Sequence, residues 1–353
     1  GVQGNSGNGG DTLLFAAVRQ LFQKEVAPTN FTLLQVREQV TEETIEKINQ
    51  HDALVIGGGG LLLADTNPNS ISGWQWACPT ELLDKIEVPI IVFAIGYNRF
   101  RGQSEFTDVF HENVCKLVEK SAFFGLRNYG SIEALKQYLP VELHEKLIFQ
   151  PCPTTLLSYF YPYSKPKNIE KSISVNIAFD RPHLRFNNQE DEILWDIAKM
   201  LLSFQKEGWK IKLFNHIAKD QEARIWFNAQ GLYPDEVNLF NVAPQVVIEE
   251  YSKVSLALGM RGHAQMIPFG LNVPILSLIS HDKLGFFLDD IGHPELGIEI
   301  KSPNFSNNLY EKLNFLINEL ENTSDNISNA QEELWKVTQK NLQSIKTSLE
   351  KGI

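Results

Sequence analysis

The sequence predicts an α/β protein of two Rossmann-like domains, each a parallel sheet covered by helices, and three observations carry that reading. Apolar runs such as "DALVIGGGG" and "VPIIVFAIG" are continuous rather than alternating, as expected of strands buried on both faces. Amphipathic stretches separate them along the chain, the rhythm of strand, helix and strand that a parallel sheet requires. A chain of 353 residues, 43% of them hydrophobic, is long for a single core. Two α/β/α sheets facing one another are the economical architecture.

The elements follow in order. "GVQGNSGNGGDTLLFAAVRQLFQK" is a glycine-rich loop running into an apolar-periodic helix, with Asp11 placed as its cap. Such loops usually follow a strand, so the first strand is expected to be very short or to lie before Gly1. "HDALVIGGGGLLLAD" reads as a strand ending in Gly57 to Gly60, and "VPIIVFAIGYNRFR" as a second ending at a glycine. "SAFFGLRNYGSIEALKQYL" repeats the arrangement of short strand, polar turn and helix. Proline and tyrosine then become dense in "QPCPTTLLSYFYPYSKPKNIEK", the habit of a linker. The boundary is therefore expected near residue 165, giving domains 1–165 and 166–353.

A second series starts at "SISVNIAF", continues through the helix "DEILWDIAKMLLSFQKEG" and the strand "KIKLFNHI", and then through "VNLFN" and "APQVVIEEYSKV". "SLALGM", the helix after Arg261 and the strand "PILSLI" complete it. From about Leu309 to Ile353 the chain reads as helix with a polar interruption at "NTSDNISN".

A net charge of −11 argues against nucleic acid and anionic membrane surfaces, which need clustered Lys and Arg. A small anion remains compatible, because a few local cations outweigh a distant field. Cys78, Cys115 and Cys152 form no CxxC pair and lie far from any histidine at ligand spacing, so neither a zinc site nor a disulfide framework is expected. A reducing, cytoplasmic setting is expected, given no apolar run long enough to span a membrane and no signal segment.

In open parallel sheets ligands bind beyond the carboxyl ends of the strands, where loops lead into helix N-termini. That rule selects Asn8 to Asp11, Gly57 to Asp65, Gly96 to Arg101, Leu126 to Ser131, Asn215 to Asp220, Met260 to His263, and Ser280 to Lys283. The cations among them are Arg99, Arg101, Arg127, Arg261 and Lys283, with His216 and His263 alongside. Any one arginine or lysine is equally well read as solubilising charge; together they suggest an anion. Arg261 and His263 are harder to read as surface charge, because a cation at a helix N-terminus opposes the macrodipole by up to about 1 kcal/mol. "GNGGD" and "GGGG" fit neither the spaced dinucleotide fingerprint nor a P-loop. They indicate close backbone approach, or tight strand-to-helix packing.

"NGGD" at Asn8 to Asp11, "DALVIGGGGLLLAD", "GLRNYGS", "CPT" at Cys152 to Thr154, "NHIAKD", and "GMRGHAQMIPFGLNVPIL" followed by Lys283 together resemble the polysaccharide pyruvyl transferase family over nearly the whole chain. The resemblance implies a GT-B-like fold with phosphoenolpyruvate as donor substrate and no cofactor. The implied acceptor is a sugar of a cell-surface polysaccharide or its lipid-linked precursor, and the product a pyruvate ketal. It also implies peripheral association with a membrane-bound lipid-linked sugar and an N-terminal domain on the acceptor side. Arg261 and His263 would be catalytic and, with Lys283 and Arg127, would bind the donor, although Leu126 and Asn128 replace the usual neighbours of Arg127.

The chemistry agrees with that implication. A carboxylate and a phosphate call for arginines and a lysine, and a histidine can act as acid in one step and base in another. For the acceptor, Asn8, Asp11, Asp65, Arg99, Arg101 and His216 supply polar groups, and Trp74 and Trp76 either form an aromatic platform or pack in the core. A nucleotide-sugar glycosyltransferase and a non-catalytic sugar-binding protein are the rivals. The helix "AQMIPFG" lacks the acidic residue that many of the former carry, and retention of Arg261, His263 and Lys283 disfavours the latter.

Overall fold

Parallel strands cannot be joined by tight turns, so each pairing needs a crossover long enough to climb over the sheet. The computed structural model describes residues 7–65, 70–164, 166 and 169–351. Its elements begin α1 (Gly9–Glu25), α2 (Glu42–Asn49), β1 (Leu54–Leu62), α3 (Thr80–Leu83), β2 (Ile90–Tyr97), α4 (Asp108–Lys120), β3 (Ser121–Leu126), α5 (Tyr129–Lys136) and β4 (Leu147–Phe149). The chain continues α6 (Leu157–Phe160), β5 (Glu170–Asn176), α7 (Pro182–Phe186), α8 (Glu190–Lys206), β6 (Lys210–Asn215), α9 (Ala223–Ala229), β7 (Asp235–Asn238), α10 (Pro244–Ser252) and β8 (Val254–Gly259). It closes α11 (Gly262–Gly270), β9 (Ile275–Ile279), α12 (Asp282–Asp290), β10 (Gly297–Glu299), α13 (Phe305–Asn318) and α14 (Leu320–Lys351). The strand anticipated ahead of Gly1 lies outside the described residues.

Among the described residues, the first unit comprises those of Leu14–Pro153 and of 334–351. Its four strands pair in the order β1-β2-β3-β4, all parallel, with Leu54 opposite Ile90 and Phe124 opposite Leu147. Every β2 residue from Ile90 to Gly96 is buried, which accounts for the unbroken apolar run: neither face of this strand meets water. The last part of α14 belongs here. Asn341 Nδ2 donates to the Phe149 carbonyl at 2.8 Å and to Gln150 Oε1 at 3.0 Å.

The second unit comprises Thr154–Glu333 with residues 7–13. Six parallel strands run in the order β10-β9-β8-β5-β6-β7. From β5 the chain winds outward through β6 and β7, then returns to the other side of β5 with β8. Strand order therefore reverses between β5 and β8, the point at which open α/β sheets leave a crevice.

Three expectations are corrected. The chain changes unit at Pro153, ahead of 165, and both ends cross over: residues 7–13 join the second unit and the stretch from Leu334 joins the first. The proline- and tyrosine-rich stretch begins with Thr154 to Leu157, which is buried within the second unit; a Cβ on Gly270 at the end of α11 would lie 1.9 Å from the Thr154 carbonyl. Lys165 itself lies outside the described residues. "NTSDNISN" does not interrupt a helix either, since it is inside α14, where Thr323 and Ile327 turn inward and the polar residues cover the outer face. The break falls earlier, at Glu319. Among the described residues no helix is long and apolar enough to cross a membrane.

Candidate active site

In the second unit, the loops that leave β5, β6, β8 and β9 all emerge at the same end of the sheet, because all four strands run the same way. Asn176, the last residue of β5, ties two of them together: its Oδ1 accepts from Arg261 N at 3.1 Å and its Nδ2 donates to the Phe214 carbonyl at 2.8 Å. Asp220 is fully buried and accepts Arg261 Nε at 2.8 Å and Nη2 at 2.6 Å, together with the backbone N–H groups of His216 and Ile217. The third nitrogen, Arg261 Nη1, lies 2.9 Å from Asp180 Oδ1. Burial works against the Arg261 charge, but Asp220, Asp180 and Asp11 together hold its pKa above the ordinary value.

Arg185, 1% exposed, completes this network. It donates from Nη2 to both Asp180 carboxylate oxygens at 3.0 Å, from Nε to the Asp180 carbonyl and from Nη1 to Ser280 Oγ, each at 2.9 Å. Burial alone would raise the Asp180 carboxyl; the charges of Arg185, Arg261 and Lys283 instead keep it well below the usual carboxylate range. Asp180 and Arg185 were not anticipated. The signal was the second charged cluster in "FDRPHLRF", directly after a strand end.

His263 is the second residue of α11, and the first turn of α1 lies against it. Asn8 Oδ1 accepts from Gly10 N at 3.0 Å, and Gly9 N donates to the His216 carbonyl at 3.0 Å, pinning the turn to the end of β6. A Cβ on Gly10 would lie 2.5 Å from His263 Cβ and 2.7 Å from its Nδ1, so a glycine is needed for this approach. Asp11 Oδ1 lies 3.6 Å from His263 Nδ1. Lys283 stands in the first turn of α12, where its N–H donates to Nδ1 of the N-cap His281 at 3.4 Å. Asn8, Asp11, Arg261 and His263 are thus brought together.

His216 is not an acceptor-facing group. It is fully buried, its Nε2 is 2.7 Å from the Tyr251 hydroxyl, and burial followed by the Arg261 charge pushes its pKa down to about 3. It is a neutral core histidine.

The first unit holds the other expected residues. Arg99 donates to the carbonyls of Ser104 and Gln103 and pairs with Glu105 at 2.7 Å, while Asp65 Oδ2 accepts from Gln103 Nε2 at 2.9 Å. Arg101 is exposed in the same loop. Arg127, 6% exposed, follows β3; a Cβ on Gly96 would come within 2.2 Å of its Nε. Trp74 and Trp76 form no platform. They are 0% and 6% exposed, cross edge-on at 5.8 Å, and Trp74 Nε1 donates to Asn113 Oδ1 at 2.8 Å.

A family model described as polysaccharide pyruvyl transferase matches residues 8–282. No curated protein matches the chain significantly. Among solved structures, one assigned as a UDP-N-acetylglucosamine 2-epimerase of Listeria monocytogenes is 12% identical, covering 84% of this chain and 77% of its own with a TM-score of 0.51. A variant of S. aureus TarM, in complex with fondaparinux, α-GlcNAc-glycerol and UDP, is 11% identical with a TM-score of 0.51, covering 77% of this chain and 54% of its own. At such identities the likeness bears on fold alone: two parallel α/β units of GT-B type.

Proposed function

The chain belongs to the polysaccharide pyruvyl transferase family, and from that premise we propose that it transfers the enolpyruvyl group of phosphoenolpyruvate to a sugar of a cell-surface polysaccharide or its lipid-linked precursor. Two hydroxyls of that sugar close a ketal and phosphate leaves. In the balanced reaction the methylene carbon of the donor gains a proton and becomes methyl, two sugar oxygens bond to the central carbon, and its bond to the phosphate oxygen breaks. Two hydroxyl protons are released; one balances the proton gained by carbon and the other departs with phosphate.

The observation that carries the reading is the placement of Arg261 and His263, both within the matched residues, at the end of β8 where strand order reverses. His263 delivers the proton to the methylene carbon and takes one from a hydroxyl. Lys283 and the N-terminus of α12 receive the donor's negative charge. Arg261 has its charge offset by Asp220 and Asp180, so its part is to hold the β8–α11 turn rather than to neutralise the donor alone.

Phosphate release from phosphoenolpyruvate, measured across lipid-linked and free sugars beside His263→Ala, tests this. Sugar-dependent release that His263→Ala abolishes supports it. Thermal stabilisation by nucleotide sugars, with none by phosphoenolpyruvate, would replace it with a glycosyltransferase reading.

A further inference from the structure

His263 stands where several positive influences meet. It lies in the first turn of α11 and against the first turn of α1, so two helix N-termini face it, and Arg261 precedes it by two residues. All three carry positive charge or partial positive charge. The Arg261 charge is taken up by Asp180 and Asp220, and the carboxylate that faces the ring itself is Asp11, with Oδ1 3.6 Å from Nδ1. Asp11 reaches this position because Gly9 and Gly10 let α1 close on its neighbours: a Cβ on Gly9 would meet the Leu239 carbonyl at 2.2 Å, and one on Gly10 would overlap the imidazole.

We propose that Asp11 is the positioning residue of His263: its carboxylate stands 3.6 Å from Nδ1, within ion-pair reach and beyond a hydrogen bond, and its charge favours the proton on that nitrogen, leaving Nε2 as the nitrogen that exchanges protons. The inference deepens the pyruvyl transfer reading and rests on it for its catalytic meaning, but the ring geometry is a property of the protein alone. Asp11 therefore acts through His263 rather than on the sugar.

The test is ¹⁵N NMR of the His263 imidazole in the whole chain, assigned by loss of the signals in His263→Ala, for wild type, Asp11→Asn and Asp11→Glu. The wild-type neutral ring should carry its proton on Nδ1. In Asp11→Asn the Nδ1–H form should lose its dominance and the titration midpoint fall by about one pH unit, with Asp11→Glu intermediate. An unchanged tautomer and midpoint in Asp11→Asn, in a variant whose melting temperature matches wild type, overturns the proposal. In phosphate release, Asp11→Asn should lower kcat about 10- to 100-fold and shift its pH profile, with KM for phosphoenolpyruvate held within about threefold. A tautomer that responds while the wild type turns over no phosphoenolpyruvate upholds the Asp11 assignment and defeats the pyruvyl transfer reading. Turnover with an indifferent tautomer does the reverse.

Discussion

Arg261 closes on Asp220 with two parallel hydrogen bonds, Nε to Oδ2 at 2.8 Å and Nη2 to Oδ1 at 2.6 Å, and Asp220 has no exposed surface. Removing one member of such a pair leaves a charge buried without its partner, which typically costs about 3–5 kcal/mol. Asp220→Ala should destabilise the protein by that much in urea unfolding. Arg261→Lys should also lose stability, because an ammonium cannot match both carboxylate oxygens. A loss below about 1 kcal/mol in Asp220→Ala, the range of exposed pairs, would mean that the pair does not hold the ends of β6 and β8 together.

Gly10 makes a sharper separation between stability and activity. Gly10→Ala puts a methyl group where the His263 ring now lies, so the ring or the α1 turn must shift. Overpacking of this kind costs about 1–3 kcal/mol, whereas, if His263 moves the proton as proposed, displacing its ring by an ångström should cost about 100-fold in rate. Phosphate release should collapse in a variant that still melts cooperatively. Full turnover in Gly10→Ala would show that the ring has room the geometry denies it.

Acid should unfold the second unit partly through His216. Its folded-state pKa, near 3, lies below the unfolded value of about 6.5. Between those values the unfolded chain binds a proton that the folded protein does not, so stability is fully present above pH about 6.5 and falls as pH drops through this window. Unfolding free energy measured from pH 7 to 5 should decline toward a limiting slope of about 1.4 kcal/mol per pH unit from this one group. His216→Gln should flatten that slope, and a wild-type slope that survives the substitution would assign it to other groups.

Trp74 offers a test in the first unit. Its Nε1–H meets Asn113 Oδ1 at 2.8 Å, and Asn113 Nδ2 donates onward to the Cys78 carbonyl at 2.9 Å and Thr80 Oγ1 at 3.0 Å. Trp74→Phe leaves a buried acceptor unsatisfied and should cost about 1–3 kcal/mol in thermal or urea unfolding. As a core residue it should leave the acceptor KM within about threefold of wild type. A large rise in KM without loss of stability would instead identify the ring as a sugar platform.

The strands were legible where they are long and covered on both faces. β2 and β8 announce themselves through uninterrupted apolar runs, while β4 and β10, three residues each, are too short to show a period and emerge only from pairing with β3 and β9. Arg261 and His263 could be placed because a strand end followed by cations at a helix start is a local pattern. The partners of Arg261 could not, since Asp180 and Asp220 lie on other strand ends and only the order β8-β5-β6 brings them beside it. His216 misled for the complementary reason. Its loop position was readable from sequence, but the burial and the Tyr251 hydroxyl that make it a core residue were not.

Helix α14 carries a consequence for how the protein is made. Gln150, just past β4, is bonded by Asn341, a separation of 191 residues along the chain. At ribosomal speeds of about 5–20 residues per second, the four strands of the first sheet leave the ribosome roughly 10–40 s before that helix exists to meet them. The opening turn at Gly10 must likewise wait for His263. The four-stranded sheet can therefore be completed only once the distal part of α14 has been made, so deleting α14 from Leu334 onward should injure a sheet synthesised long before it.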